Sequence, residues 1–187
     1  MRAGIFSAVL LLALLCTSHA AWAGAAAGDP NSIGVIVTPN NGSAFSFLVD
    51  GVSWSVKNPN TIGSATGGAG AGKAQLEAIS LVKTVDPNSL HLFEMCVIGN
   101  HGKVEINFFD ATGKPKTTLL LELAFVTEIK SAADDPDGPN ASKQDQKAGT
   151  LTLKESITLV AGKLTMTVVD PKTGVKSEDW DFTKNSQ

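Results

Sequence analysis

The residues best suited to chemistry in this chain are few and scattered. Beyond the first two dozen positions there are two histidines, His91 and His101, ten residues apart with Gly99 between them. A catalytic zinc usually takes three protein ligands, and Glu94, near His91 on an expected helix, is the carboxylate that would complete such a set. Gly67-Gly68-Ala69-Gly70-Ala71-Gly72-Lys73 fits the nucleotide-binding spacing G-x-x-x-x-G-K, but Ala74 follows where Ser or Thr must hold magnesium. The stretch after it reads as a strand where a phosphate loop needs a helix, so these glycines read as a surface loop. Asp134, Asp135 and Asp137 gather carboxylates as hard cations require, yet their spacing is not that of an EF-hand, and a solvated loop is the simpler reading. No G-x-S-x-G elbow is present to raise a serine nucleophile. We therefore expect no catalytic residue, no metal and no cofactor.

The elements that would position these residues are mostly β. Apolar and polar residues alternate in Val104–Phe108, Leu151–Leu153 and Leu164–Val168, the mark of strands with one buried and one wet face. The strand candidates are Ile33–Val37, Ala44–Val49, Val52–Val56, Ala74–Thr84, Val104–Asp110, Thr117–Lys130, Thr150–Val160, Lys163–Val169 and Lys176–Thr183. The short connection Ala161-Gly162 predicts a hairpin across Thr150–Val169, and Asp170–Gly174 predicts a turn into the last strand. One segment breaks the pattern: Asp86 as N-cap, Pro87 at the first helical position and Gly99 as the stop predict a single helix through Leu90–Ile98. Lys57–Gly72 and Ala132–Lys147 read as long loops.

The chain has 187 residues, 43% of them apolar and 18% charged, which points to a globular domain. Its only arginine, Arg2, precedes the apolar run Ile5–Leu15 and the small-residue stretch ending Ala21-Trp22-Ala23. Residues 1–23 thus read as a secretory signal peptide, cleaved after Ala23 or, alternatively, after Ala20. The run is shorter than the roughly 20 residues a spanning helix needs. Cys16 follows Leu15, where a lipidation signal calls for a small residue. We expect a flexible mature amino terminus over 24–31 and one domain over 32–187. About 164 residues then remain, carrying 14 lysines against 18 carboxylates. That mildly acidic, arginine-free composition disfavours nucleic acid and bidentate phosphate or carboxylate clamps, and we expect no membrane partner after cleavage. With Cys96 alone, no internal disulfide forms, and its apolar surroundings read as those of a small buried hydrophobe.

A series of residues from Ser53 onward resembles the haemolysin-coregulated protein (Hcp) family, the tube protein of type VI secretion systems. Ser53-Trp54-Ser55 is similar to the family's early S-W-S strand, and Gly70–Lys73 to the glycine-rich loop before its next long strand. Lys83, Asp86 and Ser89 resemble the K-x-x-D-x-x-S start of its helix. Cys96, Gly99 and His101 follow at the family's spacing, with G-x-H after the helix. Glu155 is similar to a family glutamate ahead of a strand, and Trp180-Asp181 opens a stretch to Asn185 that resembles the closing W-D-x-x-x-N.

The resemblance implies a mainly β protein: a compact Hcp-like barrel of two packed antiparallel sheets with one short α-helix on its side. It further implies a non-enzymatic homohexameric ring that stacks into a tube, with itself, secreted effector proteins and sheath or spike components as partners. The stacking loop maps onto Asn58, Asn60, Thr61, Ile62, Gly63, Ser64, Gly67 and Gly70. Two departures stand out: the leader, since the family's tubes assemble in the cytoplasm before secretion, and a loosely matched amino-terminal strand around Phe47–Gly51. The leader implies Sec export to the periplasm or exterior. The alternative function is an exported β-barrel binding or carrier module, monomeric or ring-forming, outside any injection tube.

Overall fold

The structure, a computed structural model, describes residues 30–58, 73–134 and 152–184. Eleven strands and one helix follow in the order β1 Ile33–Pro39, β2 Phe45–Val49, β3 Gly51–Ser53, β4 Val56–Lys57, β5 Gln75–Leu76, β6 Ile79–Thr84, α1 Asn88–Ile98, β7 His101–Phe109, β8 Pro115–Asp134, β9 Thr152–Val160, β10 Lys163–Asp170 and β11 Gly174–Asp181. The fold is mainly β, as expected. All pairings are antiparallel: nine strands form one sheet, and β4 pairs β5 in a small ribbon.

The large sheet runs β2-β1-β7-β8-β9-β6-β3. Only Asp50 separates β2 from β3, and its amide donates to the Val82 carbonyl at 2.7 Å. The two ends of the strand order are therefore one bent piece of chain, which closes this path of the sheet into a barrel, while β11, paired only with β10, stays an edge strand. Inward side chains Val35, Val37, Ile79, Leu81, Val104, Ile106, Leu119, Leu121, Ile157 and Leu159 fill it, each essentially without solvent contact. Burying a side chain of this size contributes about 1.5–3 kcal/mol.

The 20-residue β8 organises the rest. Its first half lies between β7 and β10, and its second half pairs with β9. Leu123 takes a left-handed backbone (φ 52°), so the buried positions step by three from Leu121 to Ala124 as the strand bends. The predicted Thr150–Val169 hairpin does not form: β9 and β10 do not pair with each other but run end to end along β8. At their joint the Gly162 amide donates to the Glu122 carbonyl at 3.1 Å, so the bent partner strand dictates a continuation where a turn back was expected. The turn at Asp170–Gly174 forms as expected and pairs β10 with β11. Three further boundaries move, the first being the strand expected over Val52–Val56, which splits into β3 and β4, the latter taking in Lys57 from the expected loop. Ala132–Asp134 belongs to β8, not to a loop, and the single strand expected over Ala74–Thr84 divides into β5 and β6.

Helix α1 packs on β8 and β2. It starts as its residues predict: Pro87 has helical angles (φ −56°, ψ −28°), and Asp86 Oδ1 accepts the amides of Asn88 at 2.8 Å and Ser89 at 3.2 Å. Ser89 Oγ in turn accepts the Asp86 amide at 3.0 Å, a reciprocal capping box. Gly99, left-handed at φ 67°, ends the helix by donating to the Met95 carbonyl.

Candidate assembly surface

Four of the signature residues meet inside the protein. Lys83 on β6 lies in register with Glu155 on β9, both at positions whose strand neighbours Leu81 and Ile157 point into the core. Lys83 is 1% exposed and Glu155 3% exposed. The Lys83 ammonium lies 3.0 Å from Glu155 Oε1, 2.9 Å from Asp86 Oδ1 and 3.0 Å from Ser89 Oγ, and 5.2 Å from the centroid of the Phe47 ring. Ser89 Oγ donates to Glu155 Oε1 at 2.6 Å. All three ammonium donors are thus engaged, as a buried charge requires. The cluster ties the first turn of α1 to two barrel strands, and only the Asp86 side chain reaches the surface. Glu155 sits within β9 and not ahead of a strand.

The other signature positions are spread over the surface. Ser53 ends β3, and Trp54 is partly exposed beside it. Ser55 and Lys57 both bond the Glu77 carboxylate, and these contacts, the Lys57 bond foremost, hold that carboxyl below its ordinary range. They brace the β4–β5 ribbon. Asn58 is exposed at the end of that ribbon; Asn60, Thr61, Ile62, Gly63, Ser64, Gly67 and Gly70 lie outside the described residues, as do Asp135 and Asp137. Cys96 is partly buried against the core. Trp180 stands opposite Leu164, and its buried indole nitrogen has no hydrogen-bond partner among the described residues. Asp181 Oδ1 accepts the amides of Thr183 and Lys184 and the Thr183 hydroxyl; the hydroxyl bond is the chief reason its carboxyl lies below the usual range.

The two histidines do not converge. His91 lies against Phe45, its ring tilted at 36° with centroids 5.2 Å apart, and lines a cleft of about 440 Å³ between α1 and the β1–β2 turn, with Glu94 and Ile98. His101 lies on Phe125 at 5.3 Å and lines a separate cleft of about 580 Å³ at the β8 bend, with Lys103, Glu122 and Lys163. Among the described residues no three metal-ligating side chains come together. None of their helices is long and apolar enough to cross a membrane.

One surface escaped the sequence reading. Ser89, Leu92 and Met95 bury one side of α1, while on the other Leu90, Phe93, Val97 and Ile98 are 61–72% exposed, with Glu94 among them. The signal was present in the nearly all-apolar run Leu90–Ile98, since a helix apolar all round has a second face to cover.

Residues 40–168 match the family model described as "Type VI secretion system effector, Hcp". Among solved structures, the chain is similar to a type six secretion system protein, with a TM-score of 0.64 at 16% identity over 83% of this chain and 98% of that one. Hcp1 from Salmonella typhimurium superposes with a TM-score of 0.60 at 15% identity, covering 83% of this chain and 98% of its own. The baseplate of the anti-feeding prophage contains a chain with a TM-score of 0.51 at 15% identity over 72% of this chain and 91% of that one. No curated protein matches the sequence.

Proposed function

Because the chain belongs to the Hcp family of type VI secretion proteins, we propose that it is a structural, non-enzymatic subunit of a homohexameric ring that stacks into a secretion tube. The observation that carries the reading is the family match across residues 40–168, which takes in the strands from β2 to most of β10 and the helix between them. The closed barrel with its internally satisfied ion cluster supports it: such a subunit is rigid enough to repeat, and its polar chemistry is turned to holding α1 in place. The rings would take effectors in their channel and meet sheath or spike components at their surfaces.

Mass in solution and electron microscopy of the purified protein test this reading. The expected result is a hexamer that forms rings; a monomer at high micromolar concentration would overturn it. The loop over 58–70 is proposed as the stacking element, and its deletion should leave single rings while abolishing stacks. The leader-like residues 1–23 favour a second reading, an exported barrel acting as a carrier outside any injection tube. Sequencing the mature amino terminus decides export, and a hexamer without stacks would favour that carrier.

A further inference from the structure

We propose that Asn41 is a site of spontaneous covalent modification, where the Gly42 amide nitrogen attacks the Asn41 carboxamide and leaves aspartyl and isoaspartyl forms of the β1–β2 turn. The inference is independent of the assembly reading. Asn41-Gly42 is the only Asn-Gly pair in the chain. The reaction is an intramolecular ring closure, so it runs where the two groups are adjacent, unencumbered and free to reach each other. Glycine suits the attacking position best, because it has no Cβ to crowd the closing ring and adopts backbone angles closed to other residues.

The fold leaves both reacting groups open. Asn41, Gly42, Ser43 and Ala44 are all exposed and lie between β1 and β2, outside any strand. The Asn41 carboxamide and the Gly42 amide make no hydrogen bond among the described residues. The one bond of Asn41 is through its main-chain carbonyl, which accepts Asn100 Nδ2 at 3.0 Å. Gly42 sits at φ 133°, and even an added Cβ would come no nearer to Pro39 than 3.7 Å, so nothing crowds the residue. The other described asparagines each lack a condition. Asn88, Asn100 and Asn107 commit their side-chain nitrogens, to the Ser46 carbonyl, the Asn41 carbonyl and Glu105 Oε1. Asn58 precedes Pro59, which has no amide hydrogen, and Asn31 and Asn40 precede residues that carry side chains.

As the Gly42 nitrogen bonds to Asn41 Cγ, the Cγ–Nδ2 bond breaks, and Nδ2 leaves as ammonia with the proton of the Gly42 amide. The product is a five-membered succinimide. Water then opens the ring at one of its two carbonyls. The peptide bond that remains runs through the α-carbonyl, an aspartate, or through the old side chain, an isoaspartate. Ammonia is lost, water is gained, and no oxidant or reductant takes part. Either product sets a new carboxylate in the wall of the 440 Å³ cleft that Glu94 and His91 also line. In the isoaspartate the carbonyl that accepted Asn100 Nδ2 is a free carboxylate, and the main chain is longer by a carbon.

The test incubates the purified full-length protein in mildly alkaline buffer at body temperature and follows each asparagine by peptide mass mapping, with isoaspartate detected by enzymatic methylation. The expected result is a gain of about one dalton at Asn41, at least about tenfold faster than at any other described asparagine, with isoaspartate present. Asn41→Gln, which would have to close a six-membered ring, should abolish the gain in that peptide. Incubation in guanidinium chloride supplies the rate for the unfolded chain, and the folded rate should lie within about tenfold of it. A slower folded reaction overturns the proposal, since it means that the turn holds the two groups apart. A gain spread evenly over the described asparagines, or one that persists in Asn41→Gln, overturns it as well. All of these outcomes leave the ring reading untouched.

Discussion

Lys83 and Glu155, 72 residues apart in the chain, face each other across β6 and β9 with Nζ 3.0 Å from Oε1 and almost no solvent contact. The pair occupies positions that the alternation of both strands assigns to the core. It costs desolvation, which the further bonds to Asp86 and Ser89 offset. Its effect is positional: Asp86, which caps α1, and Ser89, in its first turn, are locked to the barrel wall.

Removing one partner should be costly. Lys83→Met leaves Glu155 buried with only Ser89 for company, and unfolding by urea is expected to show a loss of about 3–5 kcal/mol. Lys83→Met with Glu155→Leu should recover most of that loss, because the desolvation cost disappears along with the attraction. A single-variant loss below about 1 kcal/mol would show that the pair contributes little.

The cap is separable from the buried pair. Asp86→Ala should destabilise by about 1–2 kcal/mol, since it removes the acceptor for two helix amides. Asp86→Asn should retain most of the cap while losing the ionic part of the contact with Lys83. Hydrogen exchange at the Asn88 amide is the local readout, since the Ser89 amide also bonds the Asp86 main-chain carbonyl at 3.0 Å, and faster exchange in the alanine variant alone is the expected pattern.

Gly102 admits no side chain. A Cβ there would meet the Thr38 carbonyl oxygen at 2.4 Å and Pro39 Cα at 2.9 Å, both backbone atoms of the paired β1 strand. Gly102→Ala is therefore expected to cost about 1–3 kcal/mol or more, read as a lowered melting temperature. Gly51→Ala, where nothing lies within 4 Å, serves as the control and should change little.

The β7–β8–β10 junction should be acid-sensitive. Glu122 bonds Lys103 at 2.8 Å and lies 3.6 Å from Lys163, and these lysines, Lys103 foremost, hold its carboxyl below the ordinary value of 4.5. A carboxyl lowered in the folded state contributes stability that is present above the unfolded value and lost as pH falls through the folded one. Glu122→Gln should thus lose a little stability at pH 7, no more than about 1 kcal/mol for so exposed a pair, and nothing at pH 2. Denaturation midpoints at the two pH values check this; an equal loss at both would point to packing and not charge.

Much of the architecture was legible because its causes are local. The limits of α1 follow from Asp86, Pro87, Ser89 and Gly99, whose capping chemistry reaches no more than three or four residues along the chain. The strands β7 and β10 follow from alternation, and the turn at Asp170 from a side chain that bonds its own backbone. The Ala161-Gly162 joint misled for a physical reason. A short connection between two alternating segments is compatible with a turn back or a straight continuation, and the choice belongs to a third strand. Here β8 is long enough to serve both β9 and β10, and its bend at Leu123 lets them follow each other along one edge.

The site divides along the same line. Residue order alone carried the spacing Lys83, Asp86, Ser89 and, far downstream, Glu155, and with it the family resemblance. Only the closed barrel brought β6 against β9 and showed that these residues bond one another in the interior. Likewise the run Leu90–Ile98 announced an apolar helix, but which of its faces is buried was decided by the barrel surface it rests on. Capping and alternation act between neighbours and are written in the sequence. Pairing across 72 residues, and the choice of an exposed face, depend on which surfaces the remaining elements present, and those exist only once the sheet has closed.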